Sequence, residues 1–217
     1  MNTAAWLSAA VPEPVVCCRV ELLPLSIGHL ILLKRFGSEF VLGGCTTPDD
    51  LFLSVLICSQ NFESGNRIRF DDKLARNLSH WGKEITLGPK QFLRRRKTVP
   101  FDFADAFNRF DAYLAAGGFG FAGEKLHPLC IAKKNESSQL EAIGTPSEIM
   151  SLTALMTDLG MTFSEAINFP YVFGRHLLAA NSERKGGIRV LDREKWESES
   201  DKAKKFFEAA EKLEAEL

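Results

Sequence analysis

The stretch from Leu22 to Ser59, LLPLSIGHLILLKRFGSEFVLGGCTTPDDLFLSVLICS, decides the fold because it holds two apolar segments around a short polar gap. Ser26 predicts the N-cap of a first helix over residues 27–36, since its side chain can accept a hydrogen bond from a free amide of the first turn. Gly37 predicts the end of that helix, because glycine adopts the left-handed conformation without steric cost. The stretch is therefore predicted to form two helices joined by a turn.

The second segment has the stronger start signal. Thr47 supplies a capping side chain, Pro48 suits the first helical position, and Asp49 and Asp50 face the positive end of the helix dipole. The residues that follow, up to Ser59, are nearly all apolar, and a helix that is apolar on every side is buried on every side. This helix is predicted to be the centre of the hydrophobic core.

Upstream of the two helices, Val15 to Leu23 is rich in β-branched and aliphatic residues, with Arg19 and Glu21 on the alternate phase. This pattern is typical of a half-buried strand, whose predicted partner is Glu39 to Leu42 or Leu129 to Ala132. The predicted fold class is mainly α: a helical domain with one small β-hairpin or short sheet near the N-terminus.

Downstream, apolar periodicity and the positions of Pro and Gly predict further helices. The predicted helices cover 62–81, 103–116, 146–159, the segment from Thr162 to before Pro170, and 171–181. An extended segment at 188–191 and a last helix after Asp192 follow. The domain prediction is a flexible tail at 1–12, a helical core lobe with the β element at 13–116, a loop or linker at 117–144, and a second helical lobe at 145–217 that ends in an amphipathic helix.

Composition limits the function classes. The chain has 217 residues, and its 27 basic and 28 acidic residues give a net charge of -1, so no strong field attracts nucleic acid or an anionic membrane. No apolar run approaches the roughly 18 residues of a membrane span. The five cysteines are odd in number and Cys58 lies in an apolar run, which favours the reducing cytoplasm.

Chemical motifs are weak in this sequence. The four histidines (His29, His80, His127 and His176) are far apart, and none has the spacing of a metal site. Gly118 to Gly123 matches Gly-x-Gly-x-x-Gly, but it follows a predicted helix, whereas a dinucleotide fingerprint follows a strand and opens a helix. No catalytic residue, metal or cofactor is predicted, and a small-ligand or nucleotide-binding protein using the 118–123 loop is kept as an alternative.

Two features indicate protein partners. The last helix places Trp196, Phe206, Phe207 and Leu213 on one apolar stripe, which can pack on its own domain or on another chain, including a second copy. Trp6 near the N-terminus can also dock on a partner. The basic patch of Arg94, Arg95 and Arg96 favours a solvated helix or an acidic protein over nucleic acid, given the balanced total charge.

Two stretches carry a resemblance to a known family. The strand followed by Leu23-Pro24-Leu25-Ser26-Ile27-Gly28-His29-Leu30 and the Thr-Pro-capped helix, together with Gly160-Met161-Thr162-Phe163-Ser164-Glu165-Ala166-Ile167-Asn168-Phe169-Pro170, resembles tail assembly chaperones and related structural-operon proteins of tailed bacteriophages.

The resemblance implies a non-enzymatic helical protein of the host cytoplasm that binds the tape-measure protein and tail-tube subunits during assembly. A virion structural component, such as a connector or completion protein, is the nearest alternative. The chain departs from the family in its length and in the extended loop from Phe119 to Gly144.

Overall fold

The computed structural model describes residues 9–69, 71, 76, 78, 102–123, 126–132 and 146–191. The described helices are α1 Ile27–Arg35, α2 Glu39–Leu42, α3 Pro48–Cys58, α4 Phe62–Gly65, α5 Phe103–Ala116, α6 Gly120–Gly123, α7 Ser147–Leu159, α8 Phe163–Asn168 and α9 Tyr171–Arg184. The described strands are β1 Val15–Cys17, β2 Val20–Leu22, β3 Leu129–Ala132 and β4 Ile188–Leu191. The mainly helical fold with a small antiparallel sheet near the N-terminus confirms the predicted fold class.

The ends of α1 and α3 follow their local capping signals. The Ser26 hydroxyl accepts a hydrogen bond from the His29 amide, and the His29 side chain accepts one from the Ser26 amide, so the two residues close a reciprocal capping box. Gly37 has a φ of +70°, the left-handed conformation predicted for it. Thr47 Oγ1 accepts from the Asp50 amide at the start of α3. Both helices of the predicted pair are confirmed.

Helix α3 lies at the centre of the core, as its sequence predicts. Seven of its 11 residues are buried, and Leu51, Val55, Ile57 and Cys58 are 0% exposed. Phe110 from α5 and Leu155 from α7 belong to the same hydrophobic cluster. The described parts of both predicted lobes thus contribute to one core, while the division into two lobes stays a prediction.

The N-terminal β element differs from the single strand expected over Val15 to Leu23. Strands β1 and β2 pair with each other, with Val15 opposite Leu22 and Cys17 opposite Val20. The reversal occurs at Cys18 and Arg19, which both have positive φ angles, the geometry of a two-residue hairpin turn. Neither predicted partner pairs with this segment, because Glu39–Leu42 is helical and β3 pairs with β4.

Helix α4 is much shorter than the predicted helix over 62–81. It begins after Asn61, whose side chain accepts from the Ser64 amide, and ends at Gly65. The amides of Arg67 and Ile68 then bond to carbonyls only three residues earlier, so the chain leaves the α-helical pattern at 66–69. Further along the predicted helix, Arg76 and Leu78 are helical, and Leu78 is buried; Trp81 lies outside the described residues.

The later helices agree with their predicted positions, but differ at their ends. Helix α7 begins at Ser147, one residue later than predicted, and its N-cap, Pro146, makes no side-chain cap bond. Thr145 lies outside the described residues. Helix α8 starts after Thr162, as predicted, and the Thr162 and Glu165 side chains form a full capping box there. Helix α9 continues to Arg184, beyond the predicted end at Asn181.

Part of the predicted loop at 117–144 has regular structure. The short helix α6 occupies Gly120–Gly123, and β3 pairs antiparallel with β4, with Leu129 opposite Leu191. The extended piece predicted at 188–191 is therefore one strand of a second two-stranded sheet.

Candidate protein-binding surface

Helix α7 is held firmly on its inner side. Leu152 and Leu155 are buried in the core, and α7 packs against α1, α8 and α9. Lys34 Nζ of α1 lies 2.6 Å from Glu148 Oε1, at the start of α7. Lys185 Nζ lies 3.0 Å from Asp158 Oδ1, near its other end. The helix is therefore anchored at both ends and along its buried face.

The outer face of α7 consists of Ile149, Met150, Thr153, Met156 and Thr157, which the helical repeat places side by side. Ile149 is 42% exposed, Met150 56% and Met156 37%. Thr157 donates its hydroxyl hydrogen to the carbonyl oxygen of Thr153, at 2.9 Å, so its polar group is turned to the helix backbone. None of the five side chains is charged.

Solvent-facing helix surfaces ordinarily carry charged and polar residues, so an uncharged apolar outer face is a departure from the usual pattern. Exposed apolar patches on water-soluble domains commonly mark sites of protein interaction. Methionine suits such a site because its flexible thioether side chain adapts to irregular partners.

Phe163 is a further exposed apolar side chain, at the start of the next helix after α7. The chain turns at Gly160, whose φ is +69°, and Phe163 opens α8 with its side chain 49% exposed. The centroid of its ring lies 6.3 Å from that of Phe62, in an edge-to-face arrangement. Contact with Phe62 thus supports the ring while about half of it stays open to a partner.

The ion pair beneath the outer face has one buried partner. The Glu148 side chain is 7% exposed and that of Lys34 is 40% exposed. Burial raises the pKa of Glu148, but the hydrogen bond from Lys34 and other donors outweigh burial, so the pKa is lowered in total. Glu148 is therefore ionised at neutral pH and fixes the start of α7 on α1.

The described histidines have structural partners. The Ser26 amide donates to His29 Nδ1, so the proton of this neutral ring lies on Nε2, which donates to the Gln60 carbonyl at 2.7 Å. His176 Nε2 lies 2.8 Å from the Leu126 carbonyl, and His127 Nε2 lies 2.6 Å from that of Gly118. His29 and His176 are buried and bonded to backbone, as predicted; His80 lies outside the described residues.

Cys58 agrees with its interpretation as a core residue. It is fully buried, and burial raises the pKa of its thiol to about 12, so it is protonated at neutral pH. Within the part of the chain that the structure describes, no group of three or more His, Cys, Asp or Glu side chains is arranged to hold a metal ion.

The glycines of the 118–123 motif are explained mainly by packing. A Cβ on Gly118 would lie 2.1 Å from Val172 Cγ2, and one on Gly123 would lie 2.5 Å from the carbonyl carbon of Gly118. The motif follows helix α5, as the sequence predicts, and runs into the short helix α6. Two of its three glycines are thus needed for close contacts within the fold, so the motif by itself does not point to a phosphate.

The predicted partner-binding residues lie outside the described residues: Trp6, Arg94, Arg95, Arg96, Trp196, Phe206, Phe207 and Leu213. The outer face of α7 was not among the predicted surfaces. Its signal in the sequence is a second apolar stripe, Ile149 and Met156, beside the buried stripe of Leu152 and Leu155. A helix with few charges and two apolar stripes is either fully buried or binds something on its second side.

The two stretches that carry the phage resemblance pack against each other. The Tyr171 amide donates to the Leu25 carbonyl at 2.8 Å, and Ser26 and Pro170 form an isolated β-bridge. Gly28 lets α1 approach α8 closely, since a Cβ there would lie 2.9 Å from the Ile167 carbonyl oxygen. The two segments form one packing unit, and α7 leads directly into it.

Comparisons with protein-family models, curated proteins and solved structures found no match to this chain. Among the described residues, no helix has both the length and the apolar character needed to cross a membrane.

Proposed function

We propose that this chain is a non-enzymatic assembly chaperone of a tailed bacteriophage. In the host cytoplasm it holds apolar helical segments of the tape-measure protein, or of tail-tube subunits, until they assemble. The observation that carries the proposal is the uncharged apolar outer face of α7, whose Ile149, Met150 and Met156 are exposed on a helix anchored at both ends. The resemblance of the neighbouring stretches to phage tail chaperones supplies the identity of the partner.

The chemistry of the surface fits reversible binding of a helix. A partner helix can lay its own apolar stripe along α7, so that the two helices pack side by side with their ridges and grooves interlocked. Full burial of a large apolar side chain contributes about 1.5–3 kcal/mol, and the side chains of Ile149, Met150, Met156 and Phe163 are each roughly half-buried already. Their completed burial therefore contributes about 4 kcal/mol in all, by the same scale.

This contribution is modest beside the cost of association, which is about 4–15 kcal/mol. The outer face of α7 therefore gives weak binding by itself, and tight binding needs a second contact on the same partner. Weak, divisible contacts suit a chaperone, because the partner must be released when the tail assembles.

Co-expression with a tape-measure protein of a tailed bacteriophage tests the proposal. The wild-type chain is expected to co-purify with that protein and to raise its soluble fraction. Met150→Glu/Met156→Glu places two charges on the outer face of α7, and both effects are expected to be lost. Because these side chains are 56% and 37% exposed, the variant should keep the helical circular dichroism and melting temperature of the wild type.

Asn108→Glu is the matched control, since Asn108 is an exposed polar residue of α5, and it should co-purify like the wild type. Equal recovery of the tape-measure protein with wild type and double variant would reject the outer face of α7 as its binding surface. Stoichiometric recovery of the chain in purified particles would instead favour the virion-component alternative.

A further inference from the structure

The hairpin of β1 and β2 brings two thiols together. Successive side chains of a strand point to opposite faces, so adjacent cysteines in a regular strand are kept apart. Cys18 leaves the strand with a φ of +50°, and this change directs its thiol to the same buried side as that of Cys17. The two Sγ atoms lie 3.9 Å apart, with the residues 0% and 5% exposed.

The backbone of this turn is unusual for its sequence. Two-residue turns with positive φ at both positions favour Asn-Gly or Asp-Gly, since other residues meet steric strain there. Here Cys18 and Arg19 adopt φ values of +50° and +65°. Strained backbone of this kind is concentrated at functional sites, where it holds side chains in a required arrangement.

Hydrogen bonds distinguish the two thiols. Cys17 Sγ donates to the Ala106 carbonyl of α5, at 3.4 Å, so the hydrogen between the two sulfurs belongs to Cys18. This hydrogen bond from Cys18 lowers the pKa of Cys17. Burial raises that pKa, and the positive charge of the nearby Arg109 guanidinium lowers it further, so that the pKa is lowered in total. The pKa of Cys18 is raised, because its hydrogen bond to Cys17 and its burial both favour the thiol. Cys17 is thus the nucleophile of the pair, and Cys18 the thiol that follows it.

We propose that Cys17 and Cys18 form a peroxide-sensitive dithiol that closes reversibly to a vicinal disulfide. The Cys17 thiolate attacks hydrogen peroxide, the O–O bond breaks, and Cys17 becomes a sulfenic acid as hydroxide leaves and takes up a proton. The Cys18 sulfur then attacks Cys17 Sγ, and the sulfenic oxygen leaves as a second water with the Cys18 proton. The two thiols lose two electrons and two protons, and one peroxide becomes two waters.

The oxidant must reach a buried site, and the hairpin is suited to this. Hydrogen peroxide is uncharged and little larger than water. Each strand of the hairpin has only three residues, so few backbone hydrogen bonds oppose a local opening of the turn.

The geometry predicts an easily reduced bond. Closure shortens the Sγ distance of 3.9 Å to about 2.05 Å. The Cα atoms of adjacent residues are about 3.8 Å apart, less than the usual range of about 4.4–6.8 Å for a disulfide. A strained disulfide has a more oxidising potential, so glutathione is expected to reopen it. Closure also removes the hydrogen bond to Ala106 that ties β1 to α5.

Peptide mapping of the full chain tests the proposal directly. Trypsin releases residues 1–19 with Cys17 and Cys18 as their only cysteines, while Cys45 and Cys58 lie in 36–67 and Cys130 in 126–133. The protein is treated with hydrogen peroxide, unfolded, alkylated with iodoacetamide and digested. Peptide 1–19 is expected to lose two hydrogen atoms and to carry no alkyl group, and reduced glutathione added before alkylation should restore two alkyl groups.

The Cys45→Ser/Cys130→Ser variant provides the background, because it removes the two exposed thiols that could link chains. In that background, Cys18→Ser should leave Cys17 as a sulfenic acid, which dimedone labels. Since the mapping needs only the wild-type pair, the result does not depend on the folding of Cys18→Ser. A doubly alkylated 1–19 peptide at peroxide levels that oxidise Cys130 in the wild type, or a 1–19 peptide linked to another peptide, would overturn the proposal.

Discussion

Replacing Gly28 with alanine is expected to destabilise the protein, although alanine is the better helix former. Gly28 lies in the first turn of α1, beside Phe62 of α4 and Ile167 of α8. A Cβ at this position would lie 2.9 Å from the Ile167 carbonyl oxygen and 2.9 Å from Phe62 Cβ. Neither atom is the free end of a flexible side chain, so at least one helix must shift to admit the methyl group.

The magnitude follows from two opposing effects. Extra volume in a packed core typically costs about 1–3 kcal/mol, and contact with backbone and Cβ atoms places this site near the upper end. Alanine recovers up to about 1 kcal/mol of helix propensity, and less in the first turn than in a helix interior. The expected loss in the free energy of unfolding is therefore about 2 kcal/mol.

Gly174→Ala is the matched control, since Gly174 is also a buried glycine in a helix, α9. A Cβ there would lie 3.4 Å from Leu155 Cδ1 and 3.5 Å from Phe169 Cδ1, which are ordinary contacts. With no clash to offset the gain in helix propensity, this variant should be as stable as the wild type or more stable by about 0.5–1 kcal/mol.

Urea unfolding followed by circular dichroism at 222 nm measures both variants. The midpoint should fall for Gly28→Ala and stay equal or rise for Gly174→Ala. Equal stability of Gly28→Ala and the wild type would contradict the close approach of α1 to α4 and α8.

Two further predictions concern charge. The free energy of unfolding should fall as the pH drops below about 6.5, because burial lowers the pKa of His29 and His176 in the folded protein. Over this range the unfolded chain binds more protons than the folded one, and acid therefore favours unfolding. Each histidine contributes a slope of about 1.4 kcal/mol per pH unit between its lowered pKa and about 6.5. Urea titrations at pH 5.5 and 7 that gave equal stability would contradict this. Lys34→Met should cost about 1 kcal/mol by leaving the buried Glu148 carboxylate unpaired, whereas Lys185→Met, at an exposed ion pair, should cost less than about 0.5 kcal/mol. Equal melting temperatures of the two lysine variants would show that the burial of Glu148 does not matter.

The N-cap signals, in which a side chain bonds to an amide within one helical turn, are confirmed at four helices. Ser26, Thr47, Asp102 and Thr162 each cap the predicted helix, since a cap bond joins residues no more than three positions apart. A contact between distant residues is beyond such local rules: the Glu148 side chain pairs with Lys34, 114 residues earlier in the chain.

The candidate surface could be predicted only in part. The sequence shows that α7 has more than one apolar stripe, but the hydrophobic pattern alone does not say which stripe meets the core. That choice depends on where α1, α8 and α9 lie, and they cover Leu152 and Leu155 while leaving Met150 exposed.

Local sequence signals predict the helices that begin with clear caps, the central position of α3 in the core, and the structural roles of His29 and Cys58. These properties depend on hydrogen bonds within a turn and on apolar content, which are encoded locally. Local signals do not predict which face of α7 stays open, nor that the side chains of Cys17 and Cys18 lie on one buried side. Both depend on backbone reversals and contacts between residues distant in sequence, whose energies are set by the assembled core.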